Sequence, residues 1–167
     1  MEDLSSICLS CGLCCDGTLI GFVQLDKEEI PRIRELMPIE EAGEQGIFVH
    51  PCSQLCGTSC TIYDERPKQC AAFQCGMLKK VNTGEQEITS AIESVEALKA
   101  LRTELQALLT DLALPLKSNS FYFSILEAEK MLQKQVLLGD AGVKKDLFFQ
   151  RLKDFENLIS DKFDLSL

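Results

Sequence analysis

In the second half of the chain apolar residues advance by threes and fours. Ile88, Ile92, Val95, Leu98, Leu101, Leu105, Leu108 and Leu112 form one such stripe, the repeat of a helix with a single buried face, and Pro115 marks its end. Two more helical patterns follow, over residues 120–138 after Ser118-Asn119-Ser120 and over residues 143–163 after the turn Gly139-Asp140-Ala141-Gly142. Together they predict a small antiparallel helical bundle or cap over residues 85–167. A leucine stripe at this spacing is core, so the segment is assigned scaffold duty or the docking of a protein partner, and nothing more.

The first half changes rhythm. Residues 17–25 (GTLIGFVQL) are apolar and β-prone, and Asp26 is placed to cap a helix over residues 27–36. Ile30, Ile33, Leu36 and Met37 give that helix one apolar face, and Pro31 falls in its first turn, where a missing N–H costs little. A short strand over Ile47–Val49 then delivers Cys52. Asp64 or Glu65 is expected to cap a further helix that starts at Pro67 and carries Cys70 in its first turn, where unpaired N–H groups favour a thiolate. The predicted fold is α+β and predominantly helical. An irregular, metal-stabilised cysteine-rich region with a short β element (residues 1–84) precedes the helical region (residues 85–167).

Composition narrows the class. At 167 residues, 46% hydrophobic and 26% charged, the chain is an ordinary globular protein of one domain, or one domain with an appendage. A net charge of −9 repels phosphate backbones and anionic lipid, which sets nucleic acid and membrane surfaces aside. Lys79-Lys80 and Lys144-Lys145 read as solvated helix ends. No run approaches the roughly 18 consecutive apolar residues that span a bilayer, and MEDLSSIC lacks the basic and apolar regions of a secretory signal. A cytoplasmic protein is expected; oligomeric state is left open.

Nine cysteines stand at 8, 11, 14, 15, 52, 56, 60, 70 and 75, and none follows. Disulfides are rare in a reducing cytosol, and an odd count does not pair. A Cys-x-x-Cys knuckle points two sulfurs at one cation, as at structural zinc and iron–sulfur sites. Cys8, Cys11 and Cys14 extend the knuckle to three, in a run resembling that of bacterial ferredoxins. Cys15 directly follows Cys14 and reaches a second metal or bridges two. Cys75 lies five residues after Cys70, about 140° round an ideal helix, so the two serve different metals or the helix deforms near Cys75-Gly76; the first reading is preferred. Eight thiolates satisfy two four-coordinate ions or two cubane clusters and leave one cysteine over. Soft sulfur ligands select zinc, copper(I) or iron–sulfur clusters, and an all-thiolate set suits a closed site rather than a hydrolytic one. The single histidine, His50, is an alternative ligand.

The opening CLSCGLCC together with CTIYDERPKQCAAFQC resembles the YkgJ-type cysteine cluster family, a CxxCxxCC domain associated with zinc or iron chelation. Cys60, Ile62, Tyr63, Arg66, Pro67, Cys70, Phe73 and Cys75 fall in step with its second half, and the resemblance covers roughly residues 8 to 80. It implies a mostly bacterial, cytosolic metal-binding domain; a related motif occurs in a flagellin lysine methylase. The family pattern has one cysteine ahead of the C-x-I-Y element, whereas this chain has Cys52 and Cys56. Cys52 follows a strand and Pro51, while Cys56 precedes the Gly57-Thr58 turn, so Cys56 is taken as the spare. The expected ligands are Cys8, Cys11, Cys14, Cys15, Cys52, Cys60, Cys70 and Cys75, with Arg66 offsetting the thiolate charge from outside the ligand set. No catalytic constellation is visible. The primary expectation is a metal-binding module holding zinc or iron; the alternatives are an iron–sulfur enzyme or electron carrier, and a thiol-redox protein cycling through Cys14-Cys15 or a knuckle.

Overall fold

The computed structural model describes residues 5–43 and 45–167. Helix α1 (Ser5–Cys11) leads through a cysteine-bearing loop to β1 (Phe22–Leu25), α2 (Ile30–Leu36), β2 (Glu40–Ala42) and β3 (Gln45–Val49). A two-stranded hairpin, β4 (Leu55–Cys56) and β5 (Ser59–Cys60), a 3-10 turn at Tyr63–Glu65, and the short helices α3 (Lys68–Ala72) and α4 (Gly76–Asn82) complete the first part. Helices α5 (Ile88–Asp111), α6 (Phe121–Gln133) and α7 (Asp140–Leu158) follow, and a π-helical turn, Ile159–Phe163, ends the helical run. The architecture is a predominantly helical α+β fold, as its hydrophobic pattern predicts. Among the described residues no helix is long and apolar enough to cross a membrane.

The main sheet is antiparallel in the order β1-β3-β2, with Phe22 opposite Val49 and Leu25 opposite Gly46. The two-residue period of a strand buries Val23 and Leu25 and leaves Phe22 49% exposed. Ile33 and Met37 of α2 and its following residue cover that face, and with Phe48 they form a small core. A second, larger core gathers Val95, Leu98 and Leu105 of α5, Ile125 and Leu132 of α6, and Phe148, Leu152 and Phe155 of α7. Phe121 meets Phe155 edge-on, with ring centroids 5.6 Å apart. Ile7, Leu13, Leu19 and Met77 belong to this same cluster, so helical core packing continues across residue 84 into the cysteine-bearing part.

Several local expectations are corrected. The strand expected over residues 17–25 begins only at Phe22, because residues 17–21 lie along the start of α6, where the Tyr122 N–H donates to the Gly17 carbonyl at 2.9 Å. Helix α6 stops at Gln133 rather than running to 138: Leu137 packs on the core, while Val136 and Leu138 are exposed. The acids near α2 and α3 link elements rather than cap their own helices. The Asp26 carboxylate pairs with Lys68, Glu65 pairs with Arg32 at 2.7 Å, and the Lys68 backbone N–H donates to Glu29 at 2.8 Å.

Candidate metal centre

Cys8 and Cys11 stand one helical turn apart on α1. Gly12 ends that helix in the left-handed region, at φ +69°, with its N–H donating to the Cys8 carbonyl at 3.2 Å. A side chain there would be strained, and its Cβ would stand 3.2 Å from the Thr58 methyl. The chain then folds tightly on itself, with the N–H groups of Cys15 and Asp16 both donating to the Gly12 carbonyl at 3.0 Å. Two cations of α5 fasten the loop from behind. Lys99 donates to the Ser10 carbonyl at 2.8 Å, and Arg102 pairs with the Asp16 carboxylate at 3.4 Å.

The other thiols arrive from separate elements. The Cys52 N–H donates to the Cys15 carbonyl at 2.8 Å, and the Leu55 N–H donates to Cys52 at 3.1 Å, while Leu55 lies opposite Cys60 in the hairpin. Cys70 sits on α3, which packs on β1. Helix α3 ends at Ala72 and Phe73 is extended, so Cys75 opens a different helix as the residue capping α4. Gly76 keeps that helix against the C-terminal turn, since a Cβ there would collide with the side chain of Asp164 and stand 3.0 Å from the Phe163 carbonyl.

Cys8, Cys11, Cys14, Cys15, Cys52, Cys60, Cys70 and Cys75 all line one cavity of about 350 Å³. Cys56 is exposed and does not line it. The cavity lies at the seam of the two cores, taking Leu13, Met77 and Phe163 from one and Met37 and Phe48 from the other. Leu9, Tyr63 and Phe73 line it and remain partly open to solvent. The Arg66 guanidinium, also lining it, lies 3.8 Å from the centre of the Tyr63 ring, a cation–π contact that fixes its position. His50 is buried, edge-on to Phe48, with its Nδ1 unpartnered.

Desolvation dominates the electrostatics of six of these sulfurs, although Cys8 is exposed and the others are only partly covered. It pushes Cys11 and Cys70 up to about 12 and Cys15 up to about 11, and the neighbouring thiols push the same way. Cys14 is raised well above the ordinary thiol range, and Cys8 and Cys52 are raised, again mainly by burial. Arg66 opposes this at Cys8 and Cys70. At Cys70 desolvation outweighs whatever the first turn of α3 contributes, because unpaired N–H groups act over a short range and a buried charge without a partner is costly. Burial also holds the His50 imidazole below its ordinary value, against a hydrogen bond with the Cys15 backbone. A thiol raised in this way is harder to ionise than a free one, and a bound cation would offset that cost. The donor chemistry fits a soft metal. Among the described residues, no three Cys, His, Asp or Glu side chains are gathered closely enough to hold an ion as they stand; the thiols rim the cavity rather than meet at a point.

A family model named CxxCxxCC, described as "Putative zinc- or iron-chelating domain", matches residues 7–98. The chain belongs to this family. The matched span contains every residue lining the cavity except Phe163. The match supports metal binding in general, with zinc and iron side by side. No curated protein and no solved structure matches the chain. The eight cysteines and Arg66 expected from the sequence line this cavity, whereas Lys99, Arg102 and Phe163 were not foreseen. The first two were hidden because basic residues three apart on a helix are commonplace on solvated faces, and Phe163 because nothing local marks a residue that reaches the site through the close of the fold.

Proposed function

We propose that this member of the CxxCxxCC family chelates zinc or iron through the thiolates of Cys8, Cys11, Cys14, Cys15, Cys52, Cys60, Cys70 and Cys75. One observation carries the reading: eight of the nine cysteines, brought from distant parts of the chain, line a single cavity, and the ninth lies outside it. Bound metal supplies the positive charge that lets buried sulfurs ionise. Arg66 offsets the remaining negative charge, and His50 holds the Cys15 turn from beneath. A set of this kind is closed to the water that a hydrolytic zinc site keeps, so the role is structural, storage or delivery, in a reducing compartment such as the cytoplasm, where thiols at this density persist. Catalysis is no part of the proposal.

A second reading, an iron–sulfur electron carrier, draws on the size of the cavity. About 350 Å³ is the share of liquid volume of roughly a dozen waters, more than single ions require. Anaerobic purification followed by metal analysis and a visible spectrum separates the readings. Colourless protein with tightly held zinc, or iron without sulfide, supports ion chelation; brown protein with iron and acid-labile sulfide in equal amounts supports clusters. Protein that retains no metal and binds none on reduction and titration overturns both and returns the thiol-redox alternative.

A further inference from the structure

We infer that the cavity holds two separate four-sulfur metal centres, one formed by Cys8, Cys11, Cys14 and Cys75 and the other by Cys15, Cys52, Cys60 and Cys70. The inference rests on the thiolate reading above and goes further, in assigning each sulfur to a centre.

Packing supplies the first argument. Cys11, Cys14 and Cys75 lie against the large helical core, whereas Cys52 and Cys70 lie against the small sheet core. Chain geometry supplies the second. Cys8 and Cys11 share α1. Cys15 is tied to Cys52 by a backbone hydrogen bond, and the hairpin that follows Cys52, joined to it through the Leu55 N–H, carries Cys60. The break after Ala72 places Cys70 on the helix that packs on β1 and Cys75 at the head of the helix that carries Met77 into the helical core. The division therefore falls at two places, the Cys14-Cys15 peptide bond and the interruption between α3 and α4.

Four thiolates are the full complement of one tetrahedral zinc or iron ion, or of one cubane cluster, so neither centre needs a shared sulfur. Charge connects what ligation separates. Four thiolates around a divalent ion leave an excess of two negative charges at each centre. Arg66 lines the cavity that both groups share, a single counter-charge common to both.

The test loads the reduced full-length chain with cadmium-113 and reads stoichiometry, sulfur-to-metal absorbance and the cadmium resonances. The expected result is two ions per chain with eight thiolates engaged, giving two resonances in the all-sulfur range and no cadmium–cadmium coupling. Cys75→Ser should disturb one resonance and Cys70→Ser the other, each variant retaining one of the two ions at unchanged affinity. A single ion per chain overturns the division, as does coupling through a shared sulfur or the disturbance of one and the same resonance by both variants. Each of those outcomes leaves thiolate chelation itself standing. Chelation fails separately, if the wild-type chain with all its thiols reduced takes up no cadmium, zinc or iron. The wild-type stoichiometry and coupling decide the matter even if a serine variant fails to fold.

Discussion

The two cores that meet at the cysteine cavity are unequal. Among the described residues the helical core buries eighteen apolar side chains, Phe148, Phe155 and Phe163 among them, whereas the sheet core buries five: Val23, Leu25, Ile33, Met37 and Phe48. Hydrophobic stabilisation scales with the apolar surface removed from water, and the entropy lost on ordering the chain scales with the residues fixed. The segment from β1 to α3 fixes some fifty residues around five buried side chains. Under the proposed chelation the helical part should sustain its own order, and the sheet part should depend on what its thiols hold. In one chain, the same ligand chemistry then has two different structural weights.

The largest expected effect comes from removing the metal. Structural zinc in small domains contributes about 10–16 kcal/mol of apparent binding free energy, and the sheet part has least to replace it. Under reducing conditions a strong chelator should abolish amide protection across residues 22–72 and leave α5, α6 and α7 protected, with most of the helical circular dichroism retained. Residues 7–19 and 76–82 should show intermediate behaviour, because Ile7, Leu13, Leu19 and Met77 are anchored in the helical core. Uniform loss of protection would mean that the inequality of the cores has no energetic meaning. Full retention would mean that five side chains and the hydrogen bonds around them are sufficient.

What could be read from the sequence follows the same line. The stripe from Ile88 to Leu112 marks α5 almost to the residue, because a long periodic face specifies its element and most of its burial, though Ile92 stays exposed. That eight cysteines would come together at one cavity was legible because few chemistries use sulfur at that density. The ends of short elements were less so. Gly17–Gly21 has the composition of a strand but lies under Tyr122, and Glu65 has the placement of a cap but pairs with Arg32. Both outcomes were decided by neighbours distant in sequence, to which local propensity is blind. The relation of Cys70 to Cys75 was half legible. Their five-residue spacing shows that they cannot share a helical face, but that Phe73 breaks the helix between them is a tertiary outcome.

A cavity cut into either core should sharpen the comparison. Phe155 is fully buried, and Phe155→Ala should cost about 3–5 kcal/mol, lowering the denaturant midpoint of the metal-loaded protein as a whole. Phe48→Ala removes a comparable side chain from the sheet core. With metal bound its effect on global unfolding should be smaller, and it should appear instead as faster metal release to a competing chelator. If Phe48→Ala depressed the helical transition as strongly as Phe155→Ala, the two cores would form a single cooperative unit.

Arg66 belongs to neither core and bears on both. Its guanidinium faces the thiols from its place over Tyr63, and groups that support metal ligands from outside commonly change affinity by about 10–100-fold when removed. Arg66→Gln should weaken metal binding at both centres by a factor in that range, read by competition with a chelator of known affinity. Circular dichroism of the loaded protein should stay the same. Weakening confined to one centre would show that the guanidinium serves that centre alone.

The smallest effect is expected at Cys56, and it tests whether cysteine content or placement defines the site. Cys56 lies on β4 opposite Ser59, exposed and outside the cavity, while Cys52, four residues earlier, lines it and is held by the Cys15 carbonyl. Exposed substitutions away from such features usually change stability by no more than about 0.5 kcal/mol. Cys56→Ser should therefore keep full metal content and the wild-type midpoint, and it should also remove an exposed thiol open to oxidation in air. Cys52→Ser, with the same change of one sulfur to oxygen, should lose one of the two ions and the protection of the sheet segment. Loss of metal on changing Cys56 would require the β4–β5 turn to swing inward on loading, and would make Cys52, rather than Cys56, the cysteine left over.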